Sequence, residues 1–247
     1  MISNIFSTVI STPLYNALVG LIDILPGASL AFGVIILTTL VRLALFPLSK
    51  QAVLMQLKMK EIDPELKEIK KTHKDNREAQ ALAMLELYKK HNIKPFSSFL
   101  LILIQIPIII GLYFVILRSG FPVIDTDILY SFIPTPEKVN TMFLGVDVIG
   151  KSAIFALVAA ITQYFQAKFA MPKPVQKKAD EKASFQDDFA RSMQLQMRYV
   201  FPFIVFGIAW SISASVALYW TISNLFTIGQ ELFLRKQRAH SQAMLNQ

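Results

Sequence analysis

Apolar and polar residues segregate along this chain in blocks about twenty residues long, the length at which a helix matches the hydrocarbon core of a bilayer. The most informative block is residues 28–48, ASLAFGVIILTTLVRLALFPL, in which Arg42 is the one charge. At 1.5 Å per residue this stretch rises roughly 31 Å as a helix. Further apolar blocks occupy 96–118, interrupted by Gln105 and Pro107, then 152–170, then 197–234. The last block divides at Ser213-Ala214-Ser215 into two spans joined by a tight turn; the first of them is expected to begin nearer Met193 than Tyr199.

The remaining segments are equally distinct. Residues 1–27 are apolar without a basic leader, and Pro13 and Asp23 interrupt them; Ile5, Val9, Tyr15, Leu18 and Ile22 share one side of a helix broken near Pro13, which predicts an amphipathic helix lying in the membrane interface. Pro26-Gly27 turns the chain into the first span. Residues 49–95 carry eleven basic and seven acidic side chains over a helical apolar pattern, Ile62, Leu66 and Ile69 on one arm and Ala81, Leu85 and Tyr88 on the other. Between the arms Asp75 and Glu78 have the spacing of a capping box. A charged helical hairpin is predicted, its charges read first as a solvated surface. Residues 119–151 form a proline-containing, partly interfacial loop, 171–196 a polar loop with helical potential near its end, and 235–247 a basic tail.

These blocks predict an all-α polytopic membrane protein: five transmembrane helices, a helical hairpin and an N-terminal interfacial helix. Composition agrees, with 53% hydrophobic residues and 19 Phe among 247. The absence of Cys excludes a thiol nucleophile or thiolate metal site, and the placement of His73, His91 and His240 in polar segments leaves almost no raw material for metal or triad chemistry. No lysine or histidine lies well inside a span, which also removes a Ser/Lys protease. No catalytic residue, metal or cofactor is expected.

The net charge of +8 is distributed unevenly. The hairpin contributes eleven basic residues, the segment Lys168–Arg198 seven and the tail three, against Arg118, Lys138 and Lys151 on the opposite side. The positive-inside rule then places the N-terminus outside and the C-terminus, hairpin and tail in the cytoplasm.

An arginine near the centre of a span costs about 2.5–3.5 kcal/mol on insertion scales. Snorkelling toward the nearer interface offsets part of that cost; a water-filled cavity offsets it differently. The other polar residues within spans are Thr38, Thr39, Gln105, Gln163, Gln166, Tyr219, Trp220 and Asn224, each of which has an ordinary structural role open to it. No acid lies inside a span to pair with Arg42, Glu231 being near the end of the fifth, and this favours a wet groove over a buried ion pair. Such a groove suits a polypeptide: the cation attracts acidic or polar stretches, while apolar helix faces release the substrate's own helix to lipid. The competing reading is a small transporter or anion channel with Arg42 as its binding charge, against which stands the lack of an inverted repeat.

The order LTTLVRLALFPLSKQ, charged hairpin, LIQIPIIIGLYF, TQYFQAKFAMP, LYWTISNLFTIGQE and basic tail resembles the YidC/Oxa/Alb membrane insertase family over nearly the whole chain. The resemblance implies a five-helix core in a bacterial plasma membrane, with an inner-leaflet groove through which short hydrophilic segments of nascent membrane proteins pass. Groove positions carry over to Thr38, Arg42, Gln163 or Gln166, Tyr219 and Trp220; Gln105, Tyr113 and Asn224 are further candidates for groove or packing. It also implies substrate recruitment by the hairpin, and makes the ribosome, through the basic tail, and the Sec translocon candidate partners alongside the lipid bilayer. One departure is local: many bacterial members carry Asn-Pro-x-x-x-Cys before the second span, where this chain has Lys94-Pro95-Phe96-Ser97-Ser98-Phe99.

Overall fold

The computed structural model describes residues 6–74, 76–93, 107, 110–111, 114–115, 121–170 and 192–245, without the side chains of 56, 60 and 238–245. Most of the span expected at 96–118, including Gln105 and Tyr113, lies outside the described residues, as do the Lys94–Phe99 turn, Asp75 and most of the 171–196 loop. The chain divides into two compact units, Met1–Ala44 with Ile106–Gly229, and Leu45–Gln105 with Gln230–Gln247.

In the first unit a π-helical turn (Ser7–Ser11) runs into α1 (Thr12–Ile24). Pro13 does not break the helix as expected. It follows directly on the π-helical turn, where Thr12 N bonds Ser7 O five residues back, and a local π adjustment of this kind lets the helical path run unbroken from Ser7 to Ile24 past a residue with no N–H. Tyr15, Leu18 and Ile22 are buried, as the apolar periodicity indicates, but Val9 is 66% exposed. Helix α2 (Leu30–Ala44) packs closely on α1: a Cβ at Gly33 would lie 3.0 Å from Leu18 Cδ1 and 3.1 Å from Ile22 Cγ1. Helix α2 stops three residues before Pro47, whose ring would clash with the carbonyl four residues back in a continuing helix. The uninterrupted helix expected over 28–48 is therefore shorter, and Arg42 sits in its last turn.

Helix α6 (Ala153–Ala170), α7 (Phe201–Ile212) and α8 (Ala214–Leu245) complete this unit, α8 running on into the second. Ala156, Ala159, Ala209 and Ala217 are fully buried with Val205, and side chains this small let helix backbones approach closely. The helical path into α7 begins at Ser192, in line with a start near Met193. Helix α8 continues through Leu245 instead of ending at Leu234, since no proline or glycine interrupts that stretch and Arg235 bonds back to Glu231, four residues earlier. The basic tail is thus the last turns of a helix, up to Leu245.

The loop 121–152 is tied down at many points. Asn16 Nδ2 donates to Ile128 O (2.8 Å), Asn16 Oδ1 accepts from Tyr130 N (2.6 Å), and Tyr15 OH accepts from Asp125 N (2.8 Å). Leu30 N donates to Asn140 O and Asn140 N to Ala28 O, both at 2.9 Å; Ala214 N donates to Gly150 O and Ser215 N to Val148 O. The loop carries a short hairpin, β1 (Met142–Phe143) antiparallel to β2 (Val146–Asp147).

Among the described residues, three helical stretches are long and apolar enough to cross a membrane: Ser7–Ile24, Ala153–Ala170 and Ser192–Ile212. A fourth is added if α2 and the helix after it count as one broken span. Ser7–Ile24, expected as an interfacial helix, meets this length and composition requirement. Helix α8 is not among them, consistent with its run of Tyr219, Trp220, Thr221, Ser223, Asn224 and Gln230.

The second unit contains α3 (Phe46–Glu61), α4 (Asp63–Thr72) and α5 (Arg77–Lys90). Ile62 and Leu66 of the first arm are buried with Leu87 and Ile93, flanked by Met55, Met59, Ile69, Met84 and Tyr88. Glu65 at the start of α4 meets Lys90 (3.4 Å) and His91 (3.2 Å) at the end of α5, so these two helices run antiparallel. The face of α5 differs from expectation: Met84, Leu87 and Tyr88 turn inward at i, i+3, i+4, whereas Leu85 is 53% exposed and Ala81 is exposed. The N-cap of α5 is Asn76, whose side chain accepts from Ala79 N at 3.0 Å. It takes the role expected of Asp75, because the helix starts one residue later. At the base of α3 Ser49 Oγ and the Gln230 side-chain amide exchange hydrogen bonds of 2.8 and 3.1 Å.

Candidate functional site

Helix α8 supplies a polar face to each of two neighbours. Its period of 3.6 residues puts Tyr219 and Ser223 on one side and Trp220 and Asn224 on another. On the first side Arg42 of α2 donates from Nε to Ser223 Oγ at 2.8 Å, and a second guanidinium nitrogen also bonds this hydroxyl. Tyr219, one turn earlier on this side of α8, is 4% exposed. Arg42 keeps partial exposure although it lies in a largely apolar helix. Its place in the last turn of α2 is electrostatically favourable, since the carbonyl end of a helix carries partial negative charge.

On the second side Trp220 Nε1 donates to Gln163 Oε1 (3.1 Å), and Gln163 Nε2 donates to Gln166 Oε1 (3.0 Å). Asn224 Nδ2 bonds Thr162 Oγ1 at 3.3 Å and Ala159 O at 3.5 Å. Gln163 and Asn224 are buried, whereas Trp220 and Gln166 keep partial exposure. Thr38 is buried and its hydroxyl bonds Val34 O (2.6 Å), an i−4 bond within its own helix; Thr39 does the same with Ile35 O.

The expected set thus separates into Arg42, bonded to Ser223 across α2 and α8 with Tyr219 one turn earlier, and a Gln163–Gln166–Trp220–Asn224 group across α6 and α8. Thr38 belongs to the same helix face as the first, one turn before Arg42. Gln105 and Tyr113 lie outside the described residues. Two participants were not singled out from sequence. Ser223 gives Arg42 a hydroxyl partner where none was expected, and Thr162 receives Asn224. The signal for both was spacing: Ser223 falls four residues after Tyr219, and Thr162 one before Gln163.

What this arrangement offers is a cation and several amide, indole and hydroxyl groups, with no nucleophile–base pair among them. Among the described residues no cluster of His, Cys, Asp and Glu could hold a metal ion. A family model described as 60Kd inner membrane protein matches residues 22–242. The chain belongs to this family, the YidC/Oxa/Alb insertases. The match covers every residue of the two polar sets.

Individual relatives agree. The chain is 30% identical over 208 residues to the membrane protein insertase YidC of Oceanobacillus iheyensis, covering 83% of this chain and 73% of that protein. It is 27% identical over 217 residues to YidC of Clostridium tetani, covering 87% and 86%. It is 30% identical over 212 residues to YidC of Azotobacter vinelandii, of which the matched region is only 32%. The chain therefore spans about a third of some family members and most of others.

Proposed function

We propose that this chain is a membrane protein insertase. Short hydrophilic segments of nascent membrane proteins enter a hydrated groove beside Arg42, and their transmembrane helices pass from it into lipid. The observation that carries this reading is Arg42 itself, a partly exposed guanidinium on a membrane helix bonded to a hydroxyl, Ser223. A guanidinium that keeps partial exposure can attract an acidic or polar segment entering the groove. Thr38, Tyr219, Trp220, Gln163 and Gln166 line the same groove in this reading, with Asn224 positioning α6 against α8. Membership of the family, and relatives that carry the name membrane protein insertase, support it.

The five-span topology, with N-terminus outside and the 49–95 hairpin and C-terminal end in the cytoplasm, belongs to the same proposal and rests on the basic-residue asymmetry. Nascent membrane proteins are the substrates. The basic turns after Leu234 are the ribosome-facing element, and the Sec translocon is a partner of some insertion events rather than a requirement for all.

The test is insertion of a single-span protein with a short acidic outer tail into proteoliposomes holding this chain alone. Protease protection of the tail well above that of empty liposomes is expected. Protection equal to empty liposomes, together with measurable anion flux, would favour the channel reading.

A further inference from the structure

The β1–β2 hairpin turns through Leu144 and Gly145, whose φ angles are +50° and +78°. Two successive residues at positive φ make the tight turn that fits strand twist, and its first position favours Asn, Asp or Gly. A leucine there is strained, because its Cβ crowds the backbone in the left-handed region. The strain is not offset by packing: Leu144 is 82% exposed, and Met142, two residues back on the same strand face, is 53% exposed. In water this tip has nothing to recommend it.

Its surroundings supply the missing partner. Phe143, on the opposite strand face, stacks edge-on against Phe32 of α2 (5.6 Å) and lies 6.1 Å from Phe155 of α6. Phe32 is 49% exposed, and Ile154 and Leu157 beside Phe155 are 70% and 53% exposed, so these are flanks of the apolar helices that face lipid. Asn140, just before β1, bonds the start of α2; Val148 and Gly150, just after β2, bond the start of α8. The hairpin is thus fixed at the common end of the helix bundle, continuous with its lipid-facing surface.

We propose that the Leu144 tip, with Met142, is a membrane anchor that enters the bilayer interface at this end of the bundle. The occupant is lipid acyl and glycerol rather than anionic headgroup. The loop 121–152 carries Asp125, Asp127, Glu137 and Asp147 against Lys138 and Lys151, which gives no attraction to anionic lipid. Anchoring therefore persists in zwitterionic membranes and at high salt. The inference rests on the chain being a membrane protein and is independent of which side faces the cytoplasm or of insertase activity.

The chain lacks cysteine, so single labels are clean. Leu144→Cys and, as a polar control on the same loop, Asp127→Cys are labelled with an environment-sensitive fluorophore and placed in phosphatidylcholine nanodiscs, where both faces are accessible. The Leu144 label is expected to be quenched by shallow nitroxide lipids several-fold more than the Asp127 label, and by aqueous iodide several-fold less. Equal iodide quenching of the two labels would overturn the anchor. Protection from both quenchers would overturn it too, pointing to a second protein copy on the tip. A label at Met142 separates anchoring from folding: Leu144→Asn, which suits the turn, should cut its lipid quenching several-fold without lowering the melting temperature in detergent. Unchanged quenching in that variant contradicts the role given to Leu144.

Discussion

Arg42 illustrates how a charge is kept in an apolar helix. It lies in the last turn of α2, where the helix dipole favours a cation, and Ser223 accepts hydrogen bonds from it. Hydrogen bonds to a charged group are worth about 1.5–3 kcal/mol. Ser223→Ala should therefore loosen the guanidinium and lower insertion of acidic-tailed substrates less than Arg42→Ala does; equal losses would mean that position matters as much as charge. Asn16 is a residue of a different kind. All its polar atoms are committed to Thr12, Ile128 and Tyr130. Asn16→Leu leaves two loop backbone groups without their partner, at about 1–3 kcal/mol for each. A clear fall in the melting temperature of the solubilised protein is expected, and an unchanged value would refute the anchoring of the loop by α1. Arg42 was legible in the sequence as an anomaly, one charge in an apolar run. Ser223 and Asn16 were not, because serine and asparagine in helices are common and only their partners, far along the chain, distinguish them.

The elements behave according to their local chemistry. In the α4–α5 pair, Leu87 is buried and Leu85 exposed although both belong to apolar-looking sequence. Leu87→Ala should destabilise the pair by about 2–5 kcal/mol, whereas Leu85→Ala should stay within about 0.5 kcal/mol; hydrogen exchange of this segment in the intact protein distinguishes them. Burial pushes the Tyr88 phenol above its ordinary value of 10.0. A raised folded-state pKa means that the stability it contributes is complete below pH 10 and is lost as pH climbs through the higher folded value. Tyr88→Phe should flatten that alkaline loss, and an unaltered profile would assign it to the lysines instead. The first arm's face was readable because Ile62, Leu66 and Ile69 leave no alternative. The second arm offered Ala81, Leu82, Met84, Leu85, Leu87 and Tyr88, which supports two helical faces, and packing against Ile62 and Leu66 selected one. Likewise, Pro13 and Pro47 look alike as helix breakers in sequence. Pro13 follows a π-helical turn and leaves the path from Ser7 to Ile24 unbroken, while Pro47 stands in the first turn of a new helix, α3.

At the scale of the whole molecule, the block pattern and the order of motifs led to the family, and the family model confirms that membership over residues 22–242. The count of spans is harder to read, because hydropathy rewards Ser7–Ile24 and passes over α8, whose polar face is the one that meets Arg42 and Gln163. The helix that contacts both polar sets is missing from the stretches whose composition suits a span. The topology proposed above predicts that cysteines placed singly at Leu85 and at Phe132 react with an impermeant reagent from opposite sides of the membrane; reaction from one side would overturn it.

The central claim is that the Arg42 charge moves the substrate. Its most direct test compares insertion by wild-type, Arg42→Lys and Arg42→Ala proteoliposomes, matched for folded protein, using one single-span substrate with either an acidic or a neutral outer tail. The account predicts that Arg42→Lys retains most insertion of the acidic substrate and that Arg42→Ala loses it, with the neutral substrate much less affected. Equal insertion of the acidic substrate by all three would contradict it and leave hydration, not charge, as the property the site contributes.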